Sequence, residues 1–372
     1  MTTPLSHLLV GIVAFAVLLM LSRWAGRQVG AGEDNQTGVD PNSRWIGKER
    51  IQVIEIVDET HDIKTFRFRR NGDKNFPPFR AGQFLTFQIG EDPKQVRSYS
   101  IASVAGLAEP TIDVAVKKLD GGLGSQWFHE RKAGDWIYAY GPSGRFTDLS
   151  EEPHPRVYIA GGIGITPILS MIRARLAKQL PGNLTLIYAV RTPQDLAFDS
   201  LLQEWAKKHG YFKYISHFGL LTYDLIRQHA AIDEKSIFFI CGPTEMNETI
   251  TRELLASGIS DERIHDEKFV SKTLLDPTKI TDREAKIHIS KQTYIYSGRE
   301  PLLDFLEDHG IEVPSACRTG VCGSCKCIVR GEFESLTDTG LSRAEKQLGY
   351  TLTCVTYPKN QGDVEIVLPH RT

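Results

Sequence analysis

Four cysteines near the C-terminus set out a metal-binding pattern: Cys317-x4-Cys322-x2-Cys325, with Cys354 further along. This is the plant-type spacing for a [2Fe–2S] cluster, whose two irons require four thiolates. Gly320 and Gly323 fall within the loop, where the backbone has to wrap closely and aim its amides at sulfur. Four cysteines also suit a tetrahedral zinc, but zinc ribbons use paired C-x2-C knuckles and only one such pair is present. Five of the 6 Cys lie between Cys317 and Cys354, a crowding that a disulfide scaffold in a 372-residue chain would not show. Cys327 is two residues past Cys325, on the opposite face of an extended segment, and reads as a packing residue. None of the 11 His stands at a ligand spacing with a partner acid.

Two glycine-rich turns offer phosphate chemistry. In Gly121-Gly122-Leu123-Gly124-Ser125 the glycines free backbone amides and Ser125 is placed to cap a short helix, so Gly122, Gly124 and Ser125 form a candidate anion nest; a plain hairpin turn would use the same glycines. Ala160-Gly161-Gly162-Ile163-Gly164-Ile165-Thr166-Pro167 follows a strand and opens a helix, the setting of a dinucleotide-binding turn. The strict G-x-G-x-x-G pattern fails, because Pro167 occupies the third glycine position. Pro at the first helical position with Thr166 as N-cap still leaves the amides around Gly162 and Gly164 free for a pyrophosphate. Arg191, ending the next strand, suits a 2′-phosphate, whereas Asp195 and Asp199 suit ribose hydroxyls; the signs conflict, and the reading leans weakly to NADH.

The elements that position these residues divide the chain into modules. From Trp45 to about Phe146, short β-prone runs (Ile51–Val57, Thr65–Arg69, Phe84–Ile89, Ile112–Val116) separated by turns predict an antiparallel barrel over 45–148. From Val157 the strand VYIAG, a helix over Pro167–Gln179, LTLIYAV and IFFICG alternate as βαβ units do, predicting an α/β parallel-sheet domain over 149–271. A Pro-containing charged stretch predicts a linker over 272–284, leaving 285–372 as a last small domain. At the other end LSHLLVGIVAFAVLLML, Leu5–Leu21, is followed by Arg23 and Arg27. It reads as a transmembrane anchor over 1–27, with a flexible linker over 28–44. The basic flank puts the rest of the chain on the cytoplasmic side, as a single-pass protein of the inner membrane. Lys plus Arg number 44 against 46 Asp plus Glu, a net charge of -2, so no nucleic-acid partner is expected.

ACRTGVCGSCKC followed by EKQLGYTLTC resembles the C-terminal ferredoxin module of ferredoxin-NAD(P)H reductase-type flavoproteins, and the upstream motifs follow in that family's order from about Ile46 to Leu368. The resemblance implies an antiparallel FAD-binding barrel, an NAD(P)-binding α/β domain and an α+β, β-grasp [2Fe–2S] domain with Cys317, Cys322, Cys325 and Cys354 as iron ligands. It matches Arg97-Ser98-Tyr99-Ser100 to the R-x-Y-S flavin motif. Arg97 then faces the FAD pyrophosphate, Tyr99 the isoalloxazine and Ser100 the flavin N5, with Lys117 also on the cofactor. Gly141-Pro142-Ser143-Gly144-Arg145-Phe146 resembles the turn closing that barrel. Cys241, in Cys241-Gly242-Pro243, is implied beside the nicotinamide, and Glu267 and Phe269 beside the flavin. Ser100, Thr166 and Cys241 are accordingly the residues expected at the chemistry.

Modules in this order imply an electron splitter: NAD(P)H gives a hydride to FAD, and the cluster passes electrons out singly to an acceptor protein. The branch of the family that serves the hybrid-cluster protein, active in hydroxylamine or nitric oxide reduction, is the most similar. Reductases of oxygenases and fatty-acid desaturases come next, and the expected anchor favours such a membrane hydroxylase or desaturase. A redox sensor, in which cluster oxidation alters partner binding, is the alternative of another class.

Overall fold

In Ile63–Arg70 the sequence IKTFRFRR turns Phe66 and Phe68 into a core and Arg67 and Arg69 toward solvent, the period-two pattern of a half-buried strand. Five more strands join it in one antiparallel sheet in the computed structural model, which describes residues 47–269 and 281–368. They are β1 (Lys48–Asp58), β2 (Ile63–Arg70), β3 (Phe84–Gln88), β4 (Val96–Ser100), β5 (Thr111–Lys117) and β6 (Trp136–Ser143), with a short helix α1 (Leu123–His129) between the last two. Their antiparallel order is β4-β3-β6-β1-β2-β5, and a bridge from Ile101 to Val114 joins the two outer strands. Closure in this way leaves the barrel few free edges. The side chains of Phe66, Phe68, Phe87 and Phe128 fill its centre, with Phe87 and Phe128 edge-to-face at 5.0 Å.

The next segment reads differently. β7 (Arg156–Gly161) and β8 (Leu184–Val190) are buried along their whole length, as strands covered on both faces must be. With β9 (Phe212–Phe218), β10 (Ile237–Gly242) and β11 (Ile264–Lys268) they form a parallel sheet in the order β11-β10-β7-β8-β9. Helices α2 (Ile165–Ala177), α3 (Asp199–Lys208), α4 (Tyr223–His229) and α5 (Thr244–Ala256) are the crossovers. Because β7 lies between β8 and β10, the chain order reverses there, and the mouth at its C-terminal end is where such sheets bind ligands.

The last module is a mixed sheet ordered β13-β12-β18-β14-β16, from β12 (Arg283–Ile289), β13 (Gln292–Gly298), β14 (Lys326–Gly331), β16 (Tyr350–Leu352) and β18 (Gly362–Val367). Only the β12–β18 pair is parallel. Helix α6 (Leu302–Asp308) packs Leu302, Leu303, Phe305 and Leu306 into its core, and β15 (Phe333–Ser335) pairs with β17 (Thr356–Pro358) beside it. Helix α7 (Arg343–Gln347) opens with a capping box between Ser342 and Glu345. Cys327 is fully buried on β14, where burial pushes its thiol up to about 12. Arg283 and Glu284, expected in a linker, are instead the first two residues of β12.

The membrane assignment is corrected. Among the described residues no helix is long and apolar enough to cross a membrane. The longest, α2 and α5, have 13 residues each, and at 1.5 Å per residue each spans about 20 Å against a hydrocarbon core of about 30 Å. The span expected at 1–27 and the tether at 28–44 lie outside the described residues, as does most of the expected linker. A single-pass protein of the inner membrane with its redox domains facing the cytoplasm therefore gains no support from the structure. The described residues belong to one compact unit beginning at Pro41, and the other unit, Met1–Asp40, falls outside them.

Candidate functional site

The loop from Cys317 to Cys325 runs directly into β14, and Cys354 follows β16, which pairs with β14. Thr353 ties the two: its amide and hydroxyl both donate to the Cys325 carbonyl, at 3.1 and 3.0 Å. Cys317, Cys325 and Cys354 are buried and Cys322 is partly exposed. The amides of Cys322 and Thr319 point at the Cys317 sulfur at 3.4 and 3.5 Å, and that of Ser324 at the Cys322 sulfur at 3.5 Å. Gly323 takes φ +74°, and a Cβ there would lie 2.7 Å from the Gly340 carbonyl oxygen.

The thiols fall into two pairs. A hydrogen bond from Cys322 holds Cys317 low against the effect of burial, and one from Cys354 does the same for Cys325. No group of three or more His, Cys, Asp or Glu among the described residues is set around a single ion. Two pairs of thiols with inward amides are the donor set that a two-iron cluster requires, and the residues present fit it.

The flavin motif lies on β4, whose Tyr99 faces Leu85 of β3 in the ladder. Tyr99 packs edge-on against Phe128 at 4.9 Å, and burial raises its phenol well above the ordinary value. Ser100 is buried at the strand end. Gly124, in the first turn of α1, lies against this strand: a Cβ there would fall 2.5 Å from Arg97 Cγ and 3.0 Å from the Tyr99 hydroxyl. Arg97 donates to the Val96 carbonyl at 2.7 Å and forms no ion pair with a carboxylate of the described residues. A guanidinium without a carboxylate partner among the described residues, beside a glycine-opened helix start, suits a pyrophosphate. Two expectations change in detail. Gly122, not Ser125, is the N-cap; the Ser125 hydroxyl accepts from the Leu119 amide and donates to the Gly122 carbonyl, both at 3.0 Å, and so shapes the turn. Lys117, ending β5, is ion-paired with Asp62 at 2.6 Å.

At the mouth of the parallel sheet, a 3-10 turn Gly162–Gly164 precedes α2, which has Gly164 as its N-cap. Thr166 is therefore inside the first turn, its hydroxyl donating to the Ile163 carbonyl at 3.0 Å, and Pro167 occupies the third helical position. Pro remains tolerated there because first-turn amides lack intrahelical partners. A Cβ on Gly164 would collide with the Cys241 carbonyl, so the two motifs touch.

Cys241 is fully buried opposite Glu267 across the β10–β11 ladder. Burial, followed by the charges of Glu267 and Asp266, raises its thiol. Glu267 is itself pushed up to about 8, first by burial and then by Asp266, and its Oε2 is buried without a partner. Nearby Asn247 donates to the Glu267 backbone carbonyl at 2.8 Å and leaves its own Oδ1 unpartnered. Buried orphan atoms beside Cys241-Gly242-Pro243 fit a polar ligand group. Phe269, just beyond β11, is 43% exposed, free to lie over a planar ring. Arg191 is exposed, with no carboxylate partner among the described residues. Asp195 is committed to a capping box with Thr192, and Asp199 accepts from Tyr214 and Gln203, both at 2.7 Å. Sequence reasoning missed Asn247, which sits in the first turn of α5 with no motif around it, and the contacts of Arg145, which belonged to a turn read only as closing the barrel.

Comparisons with known proteins agree with this division into modules. Residues 50–147 match the oxidoreductase FAD-binding domain, 158–252 the oxidoreductase NAD-binding domain, and 287–359 the 2Fe-2S iron–sulfur cluster binding domain. The NADH oxidoreductase HCR of Escherichia coli is 32% identical over 329 residues, covering 85% of this chain and 96% of that protein. The reductase component of the Rhodococcus rhodochrous 3-ketosteroid-9-alpha-monooxygenase is 29% identical, covering 83% and 93%. Among solved structures, phthalate dioxygenase reductase superposes with TM-score 0.61 at 25% identity, over 87% of this chain and 98% of that one. The chain transfers electrons from NAD(P)H through FAD to a [2Fe–2S] cluster, and it belongs to the ferredoxin-NAD(P)H reductase-type flavoproteins that carry a plant-type iron–sulfur domain at the C-terminus.

Proposed function

We propose that the chain draws on NADH and delivers single electrons to a separate acceptor of the hybrid-cluster class, in support of hydroxylamine or nitric oxide reduction. Bound flavin supplies the conversion of a hydride into single electrons. The polypeptide supplies placement: Arg97 and the Gly122–Gly124 turn hold the pyrophosphate, while Tyr99 and Ser100 flank the ring. The Gly162–Gly164 turn, with Gly242 and Pro243, seats the nucleotide against Cys241 and Glu267. The observation carrying the acceptor is the likeness to the HCR reductase along 96% of that protein's length. Its name specifies NADH, which supports the nucleotide proposed here.

A second reading, reductase component of an oxygenase, is favoured by the monooxygenase and dioxygenase reductases that match over 93% or more of their lengths. An anaerobic titration with NADH and then NADPH, followed by visible absorption and EPR, tests the donor. Preferential bleaching by NADPH would overturn that part. Electron delivery is then measured to a purified hybrid-cluster protein, to an oxygenase component and to cytochrome c. Faster reduction of the oxygenase component would replace the first reading by the second. Failure of all three acceptors with a reducible cluster would favour a redox sensor.

A further inference from the structure

The barrel and the iron–sulfur module meet through a small number of side chains, and one of these reaches the cluster loop. Arg145 stands two residues beyond β6, in the turn Gly141–Phe146. Its Nε donates to the Gly340 carbonyl at 3.1 Å and its Nη2 to Glu345 Oε2 at 2.5 Å. Gly340 is in turn bound to the loop that carries the thiols: its amide donates to the Gly320 carbonyl at 2.9 Å, and its carbonyl packs on Gly323. The guanidinium is thus one residue removed from the backbone between Cys317 and Cys325.

The partner carboxylate is held in place from its own side. Glu345 Oε1 accepts from Lys326 at 2.5 Å, and Oε2 accepts from the amide and hydroxyl of Ser342 at 2.7 and 2.8 Å. Partial burial works to raise this carboxyl, but the hydrogen bonds from Lys326 and Ser342 and the charge of Arg145 bring it down to about 2. Lys326 follows Cys325 directly, so Glu345 links Arg145 to the start of β14 as well as to α7. A second polar bridge among the described residues, Lys94 to Asp308 at 3.3 Å, joins two exposed side chains and adds little.

We propose that Arg145 is a positioning residue that docks the iron–sulfur module on the flavin barrel and so sets the separation between flavin and cluster. Its geometry calls for arginine: one nitrogen reaches a backbone carbonyl and another a carboxylate, which a lysine ammonium would not satisfy in the same fixed plane. Arg145 makes its hydrogen bonds to Gly340 and Glu345 and none to the Gly162–Gly164 turn or Cys241, so hydride transfer from the nucleotide should not depend on this residue.

The test uses the full-length holoprotein. Arg145 is 47% exposed, so its truncation leaves no buried void. In anaerobic stopped-flow with NADH, Arg145→Ala should leave flavin bleaching unchanged and slow the later cluster-reduction phase about tenfold. Arg145→Lys, which keeps the charge beside Glu345 but not the bond to Gly340, should fall between the two. Hydrogen exchange measured without nucleotide should speed up over 336–345 in Arg145→Ala, while the equilibrium cluster potential stays at the wild-type value. Added salt should slow the wild-type cluster phase toward that of Arg145→Ala. A cluster phase unchanged in Arg145→Ala would overturn the proposal, as would equal slowing of flavin bleaching or unchanged exchange over 336–345.

Discussion

Glu267 is half-buried, yet its Oε2 is kept from water without a partner, a costly arrangement outside a functional site. Burial raises it from 4.5 to about 8, so between those values the native state holds a proton that the unfolded chain has released. Stability should therefore fall as pH rises through that window and level off above it. Glu267→Gln removes the titration: its melting temperature should exceed that of the wild type by a margin that grows from about pH 5 to about pH 9. A margin independent of pH, read by circular dichroism, would mean that the carboxyl ionises freely. At the cluster, Cys354→Ala should abolish the iron–sulfur absorption and EPR signals while NADH still bleaches the flavin. Persistence of a [2Fe–2S] signal would show that Cys354 is not a ligand. The ligand cysteines could be read from spacing because a cluster imposes chemistry on residue type. Asn247 could not, because its part depends on a strand twenty residues further along the chain.

The turn before α2 shows what an element adds to its residues. Strand, glycines and helix were all readable, yet the helix starts at Ile165 rather than Pro167, because a 3-10 turn delivers the chain into it and Gly164 takes the cap. Pro167 gave a false start signal, since proline is tolerated throughout the first turn and not only at its first position. What sequence could not show is the packing of this turn on the end of β10. A methyl on Gly164 would stand 2.5 Å from the Cys241 carbonyl carbon. Gly164→Ala should therefore destabilise the nucleotide domain by about 2 kcal/mol or more, as overpacking does, and weaken NADH binding. Thermal melting together with nucleotide titration checks both effects; an unchanged melting temperature would mean that the two backbones can separate at little cost.

At the scale of the molecule, the barrel and the nucleotide domain are joined by a buried charge cluster that no sequence pattern announced. Asp148, in the connection between them, takes an ion pair from Arg156 at 3.4 Å and from Arg175 at 3.3 Å, and accepts from the Tyr158 hydroxyl at 2.8 Å. Arg156 begins β7 and Arg175 lies in the last turn of α2, residues far apart in sequence that the βαβ crossover brings to one carboxylate. Both arginines are almost wholly buried and also donate to carbonyls of Glu152, His154, Ser150 and Pro181, while Arg175 Nε is left without a partner. Those carbonyls hydrogen-bond the guanidiniums but cannot neutralise them; one carboxylate serves two cations. Asp148→Asn keeps the shape and removes the charge, and leaving buried cations uncompensated costs about 3–5 kcal/mol. For a unit of this size that corresponds to a fall of roughly 6–20 °C in melting temperature. Because the connection itself is loosened, flavin release and loss of the parallel sheet should occur together in the variant, followed by flavin fluorescence and far-ultraviolet circular dichroism in one scan. Two transitions well separated in temperature would show instead that the domains unfold independently and that Asp148 stabilises only its own segment.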